Sequence, residues 1–408
     1  MKCRHCHAEL ALPFIDLGTA PPSNAYLTRE QLAAPERYYP LRVLTCTECW
    51  LVQTEDHAGR EELFSSDYAY FSSYSSSWLA HAERCVEDMV SRLHLGPASQ
   101  VVEVASNDGY LLQYVKARGI PCLGIEPTAG TARAARERGI ETREVFFGLA
   151  AAEALVAEGR SADLAIANNV LAHVPDINDF VAGFARILKP GGVATFEFPH
   201  LLRLVADGQF DTIYHEHYSY LSLAATQRIF EGAGLAVFDV EELPTHGGSL
   251  RVHAQRADTG RRPHTSAVSA LLNQERSAGL SSRALAADLQ QRAERIKHDL
   301  LAFLIEQARA GRTVAGYGAA AKGNTLLNFA GVRGDLLRCV ADASPHKRDH
   351  WLPGSRIPVV SEQTLRDMRP DFVLVLPWNL REEITAQLAY VREWGARFVT
   401  AVPELALS

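Results

Sequence analysis

The sequence predicts an α/β protein in three parts: a small metal-stapled N-terminal module, then two Rossmann-like domains joined by a long helix. Three observations carry this. Two Cys-x-x-Cys pairs, Cys3/Cys6 and Cys46/Cys49, bracket a segment too short for a core of its own. From Gln100, short apolar strand patterns alternate with helical ones, which implies a mostly parallel sheet covered by helices. The same alternation returns after Gly311. The expected divisions are residues 1–65, 66–280 and 281–408, and 408 residues suffice for several cores.

Each cysteine pair places two thiolates on one tight turn, and two such turns complete a tetrahedron. The 39 residues between the pairs must then loop out. Four sulfurs leave no open position, so the expected ion is a structural zinc held by Cys3, Cys6, Cys46 and Cys49. Free thiols or a redox pair are the alternatives. His5 and His7 read as surface residues, and Cys85, Cys122 and Cys339 as small buried groups.

"FSSDYAYFSSYSSSW" follows. Its serines suggest a linker, but Tyr68, Tyr70, Phe71, Tyr74 and Trp78 are too aromatic for one, so it reads as an ordered entry to a helix. Leu79, Val86, Val90 and Leu93 then recur at helical spacing. "QVVEVAS", "CLGIEP", "ADLAIANNV" and "GGVATFEF" read as strands. "LAVFDVEELPTHGGSLRVHAQR" reads as two antiparallel edge strands around a Gly-Gly turn. Residues 281–310 read as one long helix with the stripe Leu285, Leu289, Ala293, Ile296, Leu300 and Leu304, ended by Gly311. "TVAGYG", "LLRCVADAS", "PDFVLVLPW" and "ARFVTAV" supply the second series of strands.

Composition narrows the function classes. Hydrophobic residues make up 47% and charged residues 22%, as in ordinary globular proteins. A net charge of −7 argues against a broad nucleic-acid surface, though not against a small basic pocket. No apolar run approaches the ~20 residues that span a bilayer. "MKCRHCHAEL" lacks the apolar core of a signal peptide, so the expected compartment is the cytoplasm, where structural disulfides are rare.

The densest chemistry lies in two places. In "VVEVASNDGYLL", a strand ending in an acid (Glu103) leads through Ala105, Ser106, Asn107, Asp108 and Gly109 into a helix. Such a loop lets backbone N–H groups approach a ligand. Glu126, followed by Pro127, ends the next strand, where doubly wound sheets place an acid against ribose hydroxyls. It is not the dinucleotide fingerprint, because two of the three glycines are missing. The second place is "DTIYHEHYSY", residues 211–220. Its histidines are two apart, not one helical turn apart, so it is no metalloprotease motif.

The Glu103–Glu126 pattern resembles motif I of the class I S-adenosylmethionine-dependent methyltransferases. "ADLAIANNVLAHVPD" and "LKPGGVATFEF" resemble the fourth and fifth strand regions of that fold. The resemblance implies that Glu103 and Asn107 flank the methionine part of the cofactor, that Glu126 holds the ribose, and that Asn168 or Asn169 borders the methyl. A Rossmann-like sheet without a cofactor is the alternative.

The whole chain resembles the sugar C-methyltransferases that act on nucleotide-linked 4-keto-6-deoxyhexoses, typically at carbon 3. The resemblance rests on the cysteine pairs together with "YAYFSSYS", "EVASNDG", "NNVLAHVPD", "YHEH", "PTHGGSLRV", "GYGAAAKGN" and "VLPWN". It implies a zinc-binding domain, a class I methyltransferase domain and a C-terminal α/β domain. By the same resemblance Tyr214, Glu216, His217 and His173 lie at the active site, with an aromatic from the serine-rich stretch, either Tyr68 or Tyr70.

Carbon beside a ketone becomes nucleophilic on losing a proton, and a histidine suits that transfer. His217 is the expected base. Glu216 would orient it or hold the substrate, and Tyr214 and His173 would bond the oxyanion or a sugar hydroxyl. His215 reads as a bystander, and His246 as either a sugar contact or a turn residue. Tyr317, Gly318, Ala319, Ala320 and Lys322, at a strand–turn–helix junction, are expected to help bind the substrate diphosphate. The expected protein is a monomer or weak homo-oligomer with no nucleic-acid or membrane partner. Two other readings stay open: a methyltransferase on another activated sugar or small metabolite, and a non-catalytic zinc-containing nucleotide-binding protein.

Overall fold

The computed structural model describes residues 1–57, 59, 63, 71–285 and 287–408. Tyr68 and Tyr70 lie outside the described residues. Among the described residues there are three sheets, of four, seven and six strands.

The first sheet holds β1 (Leu12–Ala20), β2 (Tyr39–Thr45) and β3 (Val52–Thr54), all antiparallel. Its fourth strand comes from far along the chain.

The second part opens with α1 (Ser76–Leu93), where the Ser75 side chain accepts from the Trp78 N–H as an N-cap. The helix buries Trp78, Ala82, Cys85, Val86 and Met89, one face at 3.6-residue spacing, and stops at His94 in the left-handed conformation. Then come β4 (Val101–Val104), α2 (Leu112–Ala117), β5 (Cys122–Ile125), α3 (Ala129–Glu137), β6 (Thr142–Arg143), α4 (Leu149–Ala157) and β7 (Ala162–Asn168). They are followed by α5 (Ile177–Ile187), β8 (Leu188–Pro199) and α6 (Leu201–Ala206). The two-residue β9 (Ser219–Tyr220) leaves this part and pairs antiparallel with β3. After α7 (Leu223–Gly232) come β10 (Leu235–Leu243), β11 (Ser249–Arg256) and α8 (Ser266–Ser277).

The second sheet runs β10-β11-β8-β7-β4-β5-β6. Its strands are parallel except β11, which is antiparallel to both neighbours. Of the expected edge pair, only β10 is an edge; β11 is covered by β8. Strand order reverses between β4 and β7. In a doubly wound sheet the ligand crevice opens at that switch, at the strands' C-terminal ends.

The third part begins with α9 (Leu289–Arg309). This helix starts later than residue 281. Ser282 donates from its hydroxyl to Gly279 O (2.8 Å) and accepts from Ala284 N (3.3 Å), and these local bonds hold turns where the apolar pattern alone suggests helix. Then follow β12 (Val314–Tyr317), α10 (Ala321–Ala330), β13 (Val340–Ala341), β14 (Val359–Val360), α11 (Glu362–Met368) and β15 (Phe372–Val375). The chain closes with α12 (Arg381–Gln387), β16 (Arg397–Thr400) and β17 (Ala406–Leu407). The order is β14-β13-β12-β15-β16-β17, parallel but for β17, with its own switch between β12 and β15.

The parts share cores. Phe14, Ile15 and Leu17 of β1, Leu289, Leu300 and Leu304 of α9, and Leu326 and Leu327 of α10 form one buried apolar cluster. At about 1.5–3 kcal/mol for each buried side chain, this cluster welds the first sheet to the third part. Among the described residues, no helix is long and apolar enough to cross a membrane.

Candidate active site

The crevice at the β4/β7 switch is built from a strained loop. Ala105 (φ 57°) and Asn107 (φ 51°) both adopt the left-handed conformation that non-glycine residues avoid. The loop holds because its polar groups are tied. Asn107 N–H donates to Glu126 Oε2 (2.9 Å), and the Asn107 side-chain oxygen accepts from Asp108 N (3.0 Å) and Ser72 N (2.9 Å). Ser73 bonds Asp108, and Arg138 pairs with it at 3.2 Å. Gly124 leaves room for Ser106, since a Cβ there would sit 2.4 Å from Ser106 Oγ.

Glu103 and Glu126 are fully or nearly buried, and burial raises both carboxyls above their ordinary range, Glu103 strongly. The Tyr110 hydroxyl is the neighbour that most offsets the burial of Glu103. Glu126 is otherwise engaged by Thr128 N–H (2.9 Å), so it braces the loop as well as facing the crevice. Both amide atoms of Asn168 are buried without a partner among the described residues. Asn169, left-handed at φ 52°, donates from its amide to His246 Nε2 (3.1 Å). A buried carboxyl on β4 and a buried amide at the end of β7 fit a ligand carrying both a cationic head and polar hydroxyls, as S-adenosylmethionine does.

Beside this crevice lies the stretch 211–220. A 3₁₀ turn (Phe210–Thr212) leads into a turn closed by His217 N–H donating to Tyr214 O (2.9 Å). Three units hold this segment. Thr54 of β3 donates from its hydroxyl to His217 O (3.1 Å), Tyr218 N–H donates to Ala172 O (2.8 Å), and Thr325 of α10 donates from its hydroxyl to Ile213 O (2.8 Å).

His217 Nδ1 lies 2.9 Å from Thr212 O. A carbonyl only accepts, so Nδ1 carries the proton and Nε2 is the basic nitrogen. His173 repeats the arrangement, with Nδ1 at 2.8 Å from Glu216 O. The His173 and His217 rings are 4.6 Å apart, and the Tyr214 ring lies 4.0 Å from His217. Burial depresses all three site histidines: His173 and His246 to about 4, and His217 well below 6.5 with added repulsion from His173. All are neutral at pH 7.

Glu216 is elsewhere engaged. Its Oε1 accepts from Asn24 N (2.9 Å) and Asn24 Nδ2 (3.1 Å) of the N-terminal module, while Oε2 is buried without a partner among the described residues. A backbone carbonyl, not Glu216, thus orients His217. His215 points away: its Nε2 bonds Pro40 O (3.1 Å) and its ring packs edge-on against Tyr39.

The third part contributes from its own switch point. Gly318 is left-handed (φ 84°), and a Cβ there would meet Pro377 at 2.5 Å. Ala319 N–H donates to Asp342 (2.7 Å), and its carbonyl accepts from Tyr26 (2.5 Å) and Lys347 (2.8 Å). Ala320 N–H donates to Gly318 O (2.8 Å). Tyr317 bonds Glu362 (2.5 Å) and Gln387 (2.8 Å) and packs in a cluster with Leu365 and Ile384, apart from the histidines. Lys322 instead reaches Asn379 Oδ1 (2.7 Å) and lies 4.5 Å over the Trp378 ring. Trp378 Nε1 donates to Asp211 Oδ2 (2.8 Å).

Asp211, Trp378 and Asn379 are site features that residue-type reasoning passed over. Asp211 and "PWN" were both visible in conspicuous motifs, but nothing in the sequence joins residues 167 apart. Glu197 is another. It is fully buried on β8 and accepts from His81 (2.8 Å), Arg251 (2.9 Å) and Thr245 (3.0 Å), forming a charged floor under His246 and the Trp78 ring that stacks on His81.

The four cysteines of the N-terminal module also converge. Their Sγ atoms all lie within 4.8 Å of one another, with Cys3–Cys49 and Cys6–Cys46 at 3.5 Å. A tetrahedron with Zn–S of about 2.3 Å needs S···S of about 3.8 Å, so the donor set fits zinc. The two turns match: His7 and Trp50 are left-handed, and their N–H groups donate to Cys3 O and Cys46 O, each at 3.0 Å. Gln53 Nε2 donates to Cys3 Sγ (3.2 Å), an outer bond that orients the ligand.

Residues 3–64 match a zinc binding domain, 78–240 a methyltransferase domain, and 244–403 a C-methyltransferase C-terminal domain. C-methyltransferase NovU of Streptomyces niveus is 34% identical over 405 residues, which covers 99% of this chain and 96% of NovU. A solved S-adenosylmethionine-dependent methyltransferase from Mesorhizobium loti overlaps 45% of this chain and 98% of its own at 16% identity, with a TM-score of 0.34. The PH0226 protein of Pyrococcus horikoshii OT3 overlaps 46% and 95% at 13% identity, with a TM-score of 0.37. Similarity to NovU along nearly the whole chain, at 34% identity, together with a four-sulfur module and a methyltransferase domain match, places this protein in the family of S-adenosylmethionine-dependent C-methyltransferases.

Proposed function

We propose that this C-methyltransferase acts on carbon 3 of a nucleotide-linked 4-keto-6-deoxyhexose, with His217 as the base. The observation that carries the reading is the His217 Nδ1 bond to Thr212 O (2.9 Å), which leaves a neutral Nε2 as acceptor for a proton. When bound, S-adenosylmethionine supplies an electrophilic methyl. Glu103 and Asn107 are the groups we assign to its methionine part, with Glu126 at the ribose and Asn168 or Asn169 bordering the methyl. Tyr214 and His173 flank His217 and are suited to a sugar hydroxyl. Glu216 holds Asn24 and so fixes the turn that carries the base. The loop Gly318–Ala320 opens at the N-terminus of α10, where an anionic diphosphate is favoured. Residues 1–65, 66–280 and 281–408 would then brace the base, hold the methyl donor and anchor the nucleotide.

The test is incubation with labelled S-adenosylmethionine and a panel of nucleotide-linked 4-ketohexoses, with the product mapped by mass spectrometry. His217→Asn should abolish transfer and leave S-adenosylmethionine binding nearly unchanged. Turnover of that variant at the wild-type rate would sink the base assignment. Transfer only to a substrate without a sugar ketone would overturn the acceptor class.

A further inference from the structure

The β12/β15 switch point of the third part opens onto the histidines, and what it presents there is a cation. Lys322 is pinned by Asn379 Oδ1 (2.7 Å) and by the face of Trp378 (4.5 Å). Trp378 is fixed in turn. Its Nε1 donates to Asp211 Oδ2 (2.8 Å), and its ring fills the place of a side chain at Gly247, where a Cβ would lie 2.5 Å from Trp378 Cη2. Gly247 follows His246 directly. Thr325, one turn on from Lys322, bonds Ile213 O (2.8 Å), so the start of α10 is locked to the segment carrying Tyr214 and His217. The charge of Lys322 is felt at both His217 and His246, whose protonation it opposes. Asp211 offsets it, and Asp211 Oδ1 is buried without a partner among the described residues.

A diphosphate is a poor match for this group. Its two negative charges would meet one ammonium already balanced by a buried carboxylate. A single developing charge is a better match. Lys322 also makes His217 a weaker base, so its presence helps deprotonation only if it stabilises the new anion more than it opposes the imidazolium.

We propose that Lys322 is a further catalytic residue, whose ammonium bonds the ketone oxygen of the acceptor and carries the charge that develops there. This rests on the ketosugar reading above. In the step, the C–H bond beside the ketone breaks and its proton goes to His217 Nε2. The electron pair becomes a C=C bond, and the carbonyl π pair moves onto the oxygen facing Lys322. When the enolate carbon bonds the methyl, the C–S bond breaks, its electrons stay on sulfur as S-adenosylhomocysteine, and the carbonyl re-forms.

The experiment measures hydrogen–deuterium exchange at the carbon beside the ketone by NMR in D₂O. It uses a panel of nucleotide-linked 4-keto-6-deoxyhexoses and S-adenosylhomocysteine in the methyl-donor crevice. Wild type should exchange. Lys322→Met should lose about 10²–10³-fold in exchange and in kcat, with the sugar KM moving less than about threefold. Asp211→Asn/Lys322→Met, which leaves no unbalanced buried carboxylate, should stay as slow, with S-adenosylmethionine affinity within about threefold of wild type as the check on folding. Recovery of the rate in that double variant, or exchange at the wild-type rate in Lys322→Met with a raised KM, would overturn the proposal and return Lys322 to charge balance or diphosphate binding. Absence of exchange by wild type on every sugar would take down the ketosugar reading and this proposal together, whereas normal wild-type exchange with an unaffected Lys322→Met removes only the latter.

Discussion

Removing the zinc should stop methyl transfer while sparing the methyl donor. Without metal, four sulfurs within 4.8 Å must share space as thiols, and the two cysteine turns lose the bonds that set their geometry. The module they staple holds the reacting segment. Thr54 N–H donates to Tyr218 O (3.1 Å) and its hydroxyl to His217 O (3.1 Å), while Asn24 gives Glu216 two bonds (2.9 and 3.1 Å). At about 1 kcal/mol for each, these four bonds supply about 4 kcal/mol of positioning. That corresponds to roughly three orders of magnitude in the population of the seated turn. Glu103, Asn107 and Asn168 belong to the second sheet and are not held by these bonds. The expected result of chelation is therefore a fall in kcat of at least about 10²-fold, with S-adenosylmethionine affinity within about threefold. Released zinc can be followed with a chromophoric chelator, kcat with labelled methyl, and affinity by calorimetry. Zinc-free enzyme with wild-type kcat would refute the coupling, and parallel loss of donor affinity would show general unfolding instead.

The pH profile of kcat/KM follows from the buried groups. His217 has its pKa depressed well below 6.5, so it is a free base at neutral pH and the acid limb should lie below 6.5. Lys322 is brought down to about 8 by burial, with Asp211 opposing, so under the proposal above activity should fall as pH rises through about 8. Asp211→Asn removes the opposing carboxylate and leaves burial alone to act on the ammonium, and should move that alkaline limb to lower pH. Stability has the opposite acid sensitivity to a salt bridge with a raised histidine. His173 and His246 sit at about 4 when folded, so the unfolded chain takes protons first, and stability present above 6.5 is lost as pH falls toward 4. Buried carboxyls such as Glu103 and Asp211 are shifted up and act in the opposite sense, so the check is a difference: the urea midpoint should fall less, or rise more, between pH 7.5 and 5 in His246→Asn than in wild type. Gly247→Ala adds a Cβ 2.5 Å from Trp378 and 2.9 Å from Gln209, on a backbone at φ 89°. It should cost about 1–3 kcal/mol, visible as a lowered Tm, and lower kcat through Trp378.

Much of the architecture was legible because it is local. Strands such as "VVEV" and "FVLV" are buried on both faces and so read as continuous apolar runs. The two cysteine turns each need only five residues, and the metal cluster follows from them. What was not legible is the long-range docking of short pieces. β9 is two residues long and pairs with a strand over 160 positions earlier, which no periodicity encodes. The pattern around His217 named the ring but not its orienting partner. Glu216 looked like the natural choice, yet a main-chain carbonyl at Thr212 does the work, because the turn folds back on itself. Lys322 drew attention by its place at a helix start. Its direction is set by Trp378 and Asn379 from another loop, and that is tertiary information. The apolar run from Ser281 reads as helix, but serine side chains that satisfy the backbone locally delay the helix to Leu289.

The pairing of β3 with β9 also bears on how the chain is made. As the polypeptide leaves the ribosome, the N-terminal sheet is complete in three strands, with one bare edge of β3 waiting for Ser219 and Tyr220. Its apolar face is completed later still, since Phe14 and Leu17 share a buried cluster with residues of α9 and α10. Through that interval the nascent module has a thin core and an open edge, the features that invite wrong strand partners. Early capture of zinc by two turns that are local in sequence would hold the module in register until its late neighbours are synthesised. The metal then serves biogenesis as much as the finished enzyme, and zinc-starved cells should accumulate misassembled chain before any loss of specific activity is seen in what does fold.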